Sequence, residues 1–248
     1  MITVKSASQI EKMRKSCLLT KEILEKLEEH IKPGVTTLQL DKLVYDFYTS
    51  HGARPNFLHY NGYPASICAS VNDEVVHGIP SKHCALKEGD IISIDLGCDL
   101  DGWQSDAART FAVGKISDEA QRLIDVTKQS FFEGIKFLKH GAKLGDISSA
   151  IQNYVESNGF GVVRDLVGHG IGREMHEDPS VPNFGKAGHG VKLAAGMTLA
   201  IEPMVTAGDY RVCVLDDDWT VVTDDGSLAA HYENTVLITK DGYEILTL

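Results

Sequence analysis

An internal duplication limits the folds open to this 248-residue chain. Residues 32–52 align without a gap with residues 139–159, 107 positions later, and each segment has glycine at its third and last positions. Matching apolar residues lie three or four positions apart, a spacing that places them on one face of a helix. Each segment therefore predicts an amphipathic helix, with Thr37 and Asp146 near the two helix starts. The apolar residues are Leu40, Val44 and Phe47 in the first segment and Ile147, Ile151 and Tyr154 in the second.

The same offset relates two predicted strands. Leu86-x-x-Gly89 leads to an apolar run that ends at Asp95, and Leu193-x-x-Gly196 leads to one that ends at Glu202. Two matches at one offset predict two similar α+β halves, about residues 1–115 and 116–248, in which helices accompany an antiparallel sheet. The joint at residues 114–117 is short, so we expect a single domain, 1–248, with both halves around a shared centre.

Two further features accompany the repeats. A helical stretch is expected before each repeat, near residues 8–29 and 118–139. In addition, His77-Gly78-Ile79 resembles His169-Gly170-Ile171, but at a different offset of 92.

Composition excludes several classes of protein. No apolar run approaches the roughly 20 residues that span a bilayer, and the charged N-terminal region lacks the apolar core of a secretory signal, so we expect a cytoplasmic protein without membrane contact. The five cysteines are scattered and form no Cys-x-x-Cys pair, which argues against a disulfide framework or a zinc knuckle. The net charge of -11, without a basic cluster, argues against nucleic-acid binding.

Five ionisable residues stand at or beside apolar strands, where charged groups are rarely buried without a partner. Taken singly, each fits a solvated strand end or a pair with arginine. Asp95 and Glu202 occupy equivalent places in the two halves, so a symmetric fold would direct both side chains to one spot. Clustered carboxylates repel one another, which predicts a positive charge between them. The five are Asp95, Asp106, His169, Glu202 and Glu233.

Divalent metal ions fit this set of ligands. Four carboxylates and one imidazole form a hard site that favours Co, Mn, Fe or Zn, and four carboxylates are more than one ion needs. We therefore expect two ions bridged by carboxylates. The glycine-rich run at residues 168–172 lacks the Lys-Ser/Thr ending of a phosphate loop, so a phosphate site is a weak alternative.

The order of the five residues, and six local strings, resemble type I methionine aminopeptidases from one end of the chain to the other. The resemblance implies the pita-bread fold, with pseudo-symmetric halves around a dinuclear metal site. It implies removal of the initiator methionine from nascent polypeptides, with a small second residue preferred. The strings are His77-Gly78-Ile79-Pro80, Ile94-Asp95-Leu96-Gly97, Gly168-His169-Gly170-Ile171-Gly172, His176-Glu177-Asp178-Pro179, Ile201-Glu202-Pro203-Met204 and Tyr232-Glu233-Asn234-Thr235.

The resemblance also implies a role for each residue. Asp95 would bind the second metal, Asp106 and Glu233 would bridge both, and His169 and Glu202 would complete the first. A metal-bound hydroxide would attack the scissile carbonyl. Glu202 would take a proton from the water that gives this hydroxide and return it to the leaving amine. Catalytic roles on the substrate side would fall to His77 and His176, both of which would contact the substrate.

The methionine pocket of the family corresponds to Tyr60, Tyr63, Cys68 and Trp219, whose aromatic rings and thiol form a soft lining for a thioether. Three residues depart from the pattern of some members: Phe57 and Met175 near the pocket, and Asn234 after the last glutamate.

Two rival hypotheses belong to the same fold. Proline-directed aminopeptidases or dipeptidases usually carry an additional N-terminal domain, whereas the first repeat here begins almost at once. Non-enzymatic binding proteins on this fold have lost metal ligands, whereas all five are present. No type II insertion separates His169 from Glu202. We expect a monomer, and the sequence leaves ribosome association open.

Overall fold

The computed structural model describes all residues, 1–248. Its four α-helices are α1 (Ala7–Glu28), α2 (Thr37–Ser50), α3 (Asp118–Ile135) and α4 (Leu144–Ser157), with a 3-10 turn at Tyr60–Gly62. The strands of the first half are β1 (Arg54–Pro55), β2 (Ile67–Val71), β3 (Glu74–Val76), β4 (Ile91–Leu96), β5 (Cys98–Leu100), β6 (Trp103–Gln104) and β7 (Ala107–Ala112). Those of the second half are β8 (Gly161–Val162), β9 (Gly168–Gly170), β10 (Glu177–Val181), β11 (Thr198–Ile201), β12 (Met204–Thr206), β13 (Val212–Val214), β14 (Val221–Thr223), β15 (Ala229–His231), β16 (Asn234–Ile238) and β17 (Tyr243–Ile245).

The predicted repeat helices are present, and they lie 107 positions apart. Helices α2 and α4 both have 14 residues and end at Ser50 and Ser157. Helix α2 begins at Thr37 as predicted, capped by a reciprocal bond between Thr36 and Gln39. Helix α4 begins two residues before the predicted start. The carboxylate of Asp146 accepts from the backbone N–H before the first turn, at 3.1 Å, and so stabilises that turn from inside the helix.

The turns before these helices also repeat. The backbone N–H of Gly34 donates to Leu86 O at 2.7 Å, and that of Gly141 donates to Leu193 O at 2.8 Å. Both glycines adopt left-handed backbone, with φ of 91° and 90°, a region that side chains other than glycine avoid. Each turn therefore ties the start of a repeat helix to the segment that leads into the central strand of its half.

Each half contains an antiparallel sheet with a repeat strand in its centre. Strands β2-β4-β7 form the first, and β10-β9-β11-β16-β17 form the second. The fold class is confirmed: two pseudo-symmetric halves, each with antiparallel strands and flanking helices. The similar strings His77-Gly78-Ile79 and His169-Gly170-Ile171, by contrast, do not occupy equivalent positions in the two halves. His169 pairs with Ala200 in β11, and the matching pair in the first half is Ser70 with Ser93, so His77 is not its counterpart.

The two halves meet where β7 and β16 begin. The hydroxyl of Thr235 donates to Asp106 O and accepts from Asp106 N, at 2.8 and 3.1 Å. The hydroxyl of Thr110 makes the same two contacts with His231, both at 2.9 Å. Between them, Glu233 N donates to Ala108 O at 3.0 Å. This pseudo-twofold junction brings the two strand starts side by side in the middle of the molecule.

Two large hydrophobic clusters support the halves. One packs α1 and α2 on the first sheet, and the other packs α3 and α4 on the second. Helices α3 and α4 approach closely at Gly134, where a Cβ atom would lie 2.7 Å from Ile151 Cγ1. All five cysteines are free, as predicted. No helix combines the length and the apolar character that crossing a membrane requires.

Candidate metal centre and substrate pocket

All eleven residues assigned to the site from the sequence line one cavity of about 210 Å³. Its remaining lining residues are Phe57, Asn61 and Met175. Phe57 and Met175 are the two departures from the family pattern that the sequence places near the pocket. Asn61 is not identifiable from the sequence, because it carries no charge and stands in a loop with no periodic pattern.

The acidic residues reach the cavity because strands of both halves end or begin there. Asp95 is near the end of β4 and Glu202 follows β11, whereas Asp106 and Glu233 come directly before β7 and β16. His169 lies in β9, next to β11 in the sheet. The duplicated fold thus directs carboxylates from four strand ends, and an imidazole from a fifth strand, to one point.

Three of the five side chains form a group with the spacing of metal ligands, and the other two lie beside it. His169 Nε2 is 3.7 Å from Asp106 Oδ2 and 3.6 Å from Glu202 Oε1. One donor atom from each of Asp106, His169 and Glu233 lies within 4.8 Å of the others. Asp95, in the strand next to β7, lines the same cavity.

Burial and mutual repulsion disfavour the charged forms of these carboxyl groups. Burial raises the pKa of Asp95 to about 7, and burial together with neighbouring carboxylates raises the pKa values of Asp106 and Glu233 well above the ordinary range. No lysine or arginine lines the cavity. One oxygen each of Asp95, Asp106 and Glu233 is buried without a hydrogen-bond partner. Such oxygens are costly to leave unpaired, so this donor set fits divalent cations.

The alternative of carboxylate–arginine pairing is not what the structure contains. The nearby guanidinium of Arg109 donates to the backbone carbonyls of Ala108 and Glu233, and not to the carboxylate of Glu233. It also donates to Asn234 Oδ1 at 2.7 Å and lies over the ring of Tyr232. Asn234 therefore faces away from the carboxylates and anchors Arg109 beneath the strand.

The imidazole of His169 is prepared for coordination. Its Nδ1 lies 2.9 Å from Gly170 O, so the ring proton is assigned to Nδ1 and the lone pair to Nε2, which faces the carboxylates. Burial lowers the pKa of His169 to about 3, so the ring is neutral in ordinary buffers. A neutral imidazole held by a backbone carbonyl is the usual form of a metal-binding histidine.

Two more histidines border the centre. The ring of His176 is 4.2 Å from that of His169, and its Nδ1 lies 2.8 Å from the hydroxyl of Tyr60. His77 has left-handed backbone, with φ of 61°, an uncommon conformation for histidine that directs its ring towards Trp219, 6.3 Å away. Burial lowers the pKa values of both histidines, so both are neutral at neutral pH.

The side of the cavity beyond the histidines is apolar. Tyr63, Cys68, Phe57 and Met175 are all less than one-tenth exposed and pack as one cluster, with Trp219 against Tyr63 at 5.0 Å between ring centroids. The hydroxyl of Tyr63 donates to the backbone, so its ring presents carbon to the cavity. Phe57 and Met175 therefore keep the pocket apolar and soft, and suit a flexible apolar side chain.

One residue beside the centre was missed from the sequence. His231 is 1% exposed, neither ring nitrogen has a hydrogen-bond partner, and Nε2 lies 3.7 Å from Glu202 Oε2. The signal available was its position two residues before Glu233, which in an extended segment places both side chains on one face.

Raised carboxyl pKa values predict how metal and pH act together on stability. The carboxyl group of Asp95 has a higher pKa in the folded chain than the ordinary 3.8, so the folded chain binds protons more tightly than the unfolded chain. Proton binding therefore stabilises the metal-free fold at low pH, and this stabilisation is lost as the pH rises towards 7. A metal that requires ionised ligands binds more tightly over the same range. We expect Mn²⁺ to raise the melting temperature more at pH 8 than at pH 5.5. Calorimetry of chelator-treated protein with and without Mn²⁺ measures this, and an equal or smaller rise at pH 8 would contradict it.

Comparison with known proteins identifies the family of this chain. The sequence profile of metallopeptidase family M24 matches residues 11–240. The methionine aminopeptidase of Clostridium acetobutylicum is 60% identical over all of this chain and 99% of its own length. Crystal structures of methionine aminopeptidases from Rickettsia prowazekii and Thermotoga maritima superpose with TM-scores of 0.98, at 46% and 49% identity, and cover all of this chain and 100% and 99% of theirs. The chain therefore belongs to metallopeptidase family M24, and within it resembles the methionine aminopeptidases over its full length.

Proposed function

We propose that this protein removes the N-terminal methionine from nascent proteins and peptides, with a preference for a small second residue. The observation that carries the proposal is the joining of a carboxylate centre to a soft apolar pocket within one cavity of about 210 Å³. A thioether side chain suits the pocket, and the bond to be cleaved then lies beside the carboxylates. Relatives up to 60% identical are named for this activity.

We further propose that the centre holds two divalent ions, of Co, Mn, Fe or Zn. Asp95 would hold one ion, His169 and Glu202 the other, and Asp106 and Glu233 both. When bound, such ions polarise a carbonyl and lower the pKa of a water molecule from about 16 towards 7. Buried, unpartnered oxygens on Asp95, Asp106 and Glu233 support this assignment.

The chain's own groups would orient the substrate and move its protons. Glu202, whose pKa burial raises, would take a proton from the attacking water and return it to the leaving amine. The hydroxyl of Tyr60 would donate to Nδ1 of His176, so that the Nε2–H of the neutral ring is free to donate to the developing oxyanion. His77 would contact the substrate from the edge next to Trp219.

The position of the substrate predicts its side-chain preferences. The pocket should distinguish methionine only modestly from a shorter apolar side chain, since each lost methylene is worth about 1–3 kcal/mol. The second residue faces the crowded centre, where a clash displaces the carbonyl and costs more. We therefore expect efficient cleavage of Met-Ala-Gly, slower cleavage of Leu-Ala-Gly and very slow cleavage of Met-Ile-Gly, measured as kcat/KM by product chromatography. Chelator should abolish all three activities, and added Mn²⁺ should restore them.

The same panel separates the rival activities. Preferred cleavage of Ala-Pro-Gly would identify a proline-directed enzyme, and no cleavage of any peptide by metal-loaded protein would favour a binding protein. Equal rates for Met-Ala-Gly and Met-Ile-Gly would refute the crowding argument while leaving the enzyme class intact. Full activity in protein shown to be metal-free would refute the metal mechanism.

We also propose that residues 1–248 act as a single catalytic domain, as a monomer in the cytoplasm, on chains that are still being synthesised. Five free cysteines suit a reducing compartment. Analytical ultracentrifugation tests the monomer, and co-sedimentation with ribosomes tests an association with them.

A further inference from the structure

The segment of residues 1–5 before α1, here named the N-terminal arm, ends in a buried lysine. The side chain of Lys5 is 4% exposed, and its ammonium lies 2.7 Å from Glu177 Oε2, whose side chain is 9% exposed. The backbone N–H of Lys5 donates to Gly196 O at 2.8 Å. A Cβ atom at Gly172 would lie 2.5 Å from Lys5 Cε, so a side chain there would displace the end of the lysine. The lysine is thus held by its backbone, its stem and its charge.

Glu177 uses its other carboxylate oxygen to organise a turn. Oε1 accepts the backbone N–H groups of Arg173 at 2.8 Å and Glu174 at 3.3 Å. Glu177 is also the first residue of β10, where it pairs with Gly170. Its side chain therefore closes residues 172–177 into one turn, and His176 is the last residue before the strand begins.

The ion pair is a costly arrangement unless both charges remain. A buried carboxylate that loses its partner is left as an uncompensated charge. Glu177 could then reach water or another cation only if the turn moved. Burial raises the pKa of Glu177, but hydrogen bonds from Lys5, Thr3 and the backbone, together with the charge of Lys5, lower it more, so the net pKa is lowered and the carboxylate stays ionised. Removing the lysine charge would therefore disturb the turn that carries His176.

We infer that Lys5 is a positioning residue for His176, acting through Glu177 and the turn of residues 172–177. The inference rests on the proposed function, because it assigns His176 its role beside the scissile carbonyl. It names a contact between the N-terminal arm and the catalytic turn that is 172 residues away in sequence. A purely stabilising ion pair is the alternative that the experiment must exclude.

The test is Lys5→Met measured in two backgrounds. In the otherwise unchanged enzyme we expect kcat for Met-Ala-Gly to fall about 10–100-fold with little change in KM, since small displacements of a catalytic group carry costs of that size. In a His176→Ala background we expect the same change to lower kcat less than about twofold, since a double-mutant cycle exposes the dependence. Calorimetric titration with Mn²⁺ should give unchanged affinity, and ¹⁵N-histidine spectra should show a shifted His176 signal.

Two further variants keep the result decisive. Glu177→Gln retains the size of the side chain but removes its charge, and it should reproduce the kcat loss if Lys5→Met does not fold. Arg14→Met removes an ion pair that lies away from the turn, between Arg14 of α1 and Glu244 at 2.6 Å, and it should leave kcat unchanged. Equal losses in both backgrounds, or an unchanged kcat with Lys5→Met and Glu177→Gln, would overturn the inference. A wild-type protein that fails to cleave Met-Ala-Gly would instead overturn the proposed function.

Discussion

Asp106→Asn is expected to lower kcat/KM for Met-Ala-Gly by at least about a hundredfold, because even residues that only orient metal ligands cost 10–100-fold when changed. Asp106 is 3% exposed, and its Oδ2 lies 3.7 Å from His169 Nε2. The amide keeps the shape of the carboxylate and the backbone bonds to Thr235, but it removes a negative charge from the point where both ions would be shared. Calorimetric titration should show weaker Mn²⁺ binding, and stopped assays should show the lost rate.

The matched control for this change is Asp46→Asn. Asp46 is an exposed aspartate on α2 that pairs with Lys42, and its substitution should leave activity and metal affinity unchanged. A near-normal rate and normal metal stoichiometry in Asp106→Asn would mean that Asp106 is not a ligand, and the bridging assignment would be wrong.

His176→Ala is expected to lower kcat by about 10²–10³ while metal affinity changes little, because losing one donor to a developing oxyanion costs about that factor. The structure makes this separation of effects measurable. His176 packs on the ring of His169, but it precedes β10, and the carboxylates that line the centre belong to β4 and to the segments after β11 and before β7 and β16. Its removal should therefore leave the carboxylates in place. Steady-state kinetics and calorimetric titration with Mn²⁺ on the same preparation give the two quantities.

An exposed histidine provides the comparison. His83→Ala, in a surface loop, should have no effect on either quantity. If metal affinity collapses in His176→Ala, His176 is itself a ligand and its proposed role is wrong. If KM rises while kcat is unchanged, the histidine contributes to binding and not to the chemical step.

The elements of this fold are readable from local patterns. Helix periodicity identified α2 and α4, and the common offset of 107 identified the duplication, because a repeated helix and strand need the same apolar positions twice. The carboxylates at strand ends were equally visible, since charged residues beside apolar runs conflict with burial. That conflict is what predicted a shared cationic centre, and the cavity now contains all five residues concerned.

Contacts between distant segments were not readable in the same way. The resemblance of the two His-Gly-Ile strings did not reveal which residues are equivalent, because strand register decides which residues share a position, and it places Ser70 opposite Ser93 where His169 is opposite Ala200. His231 beside Glu202 and Lys5 beside Glu177 escaped notice because single polar residues carry no period, and their partners are 29 and 172 residues away. Local propensity and periodicity are properties of neighbouring residues, so they define helices, strands and the charges at their ends. Which buried charges become neighbours depends on how the two halves pack, and that is a property of the folded chain alone.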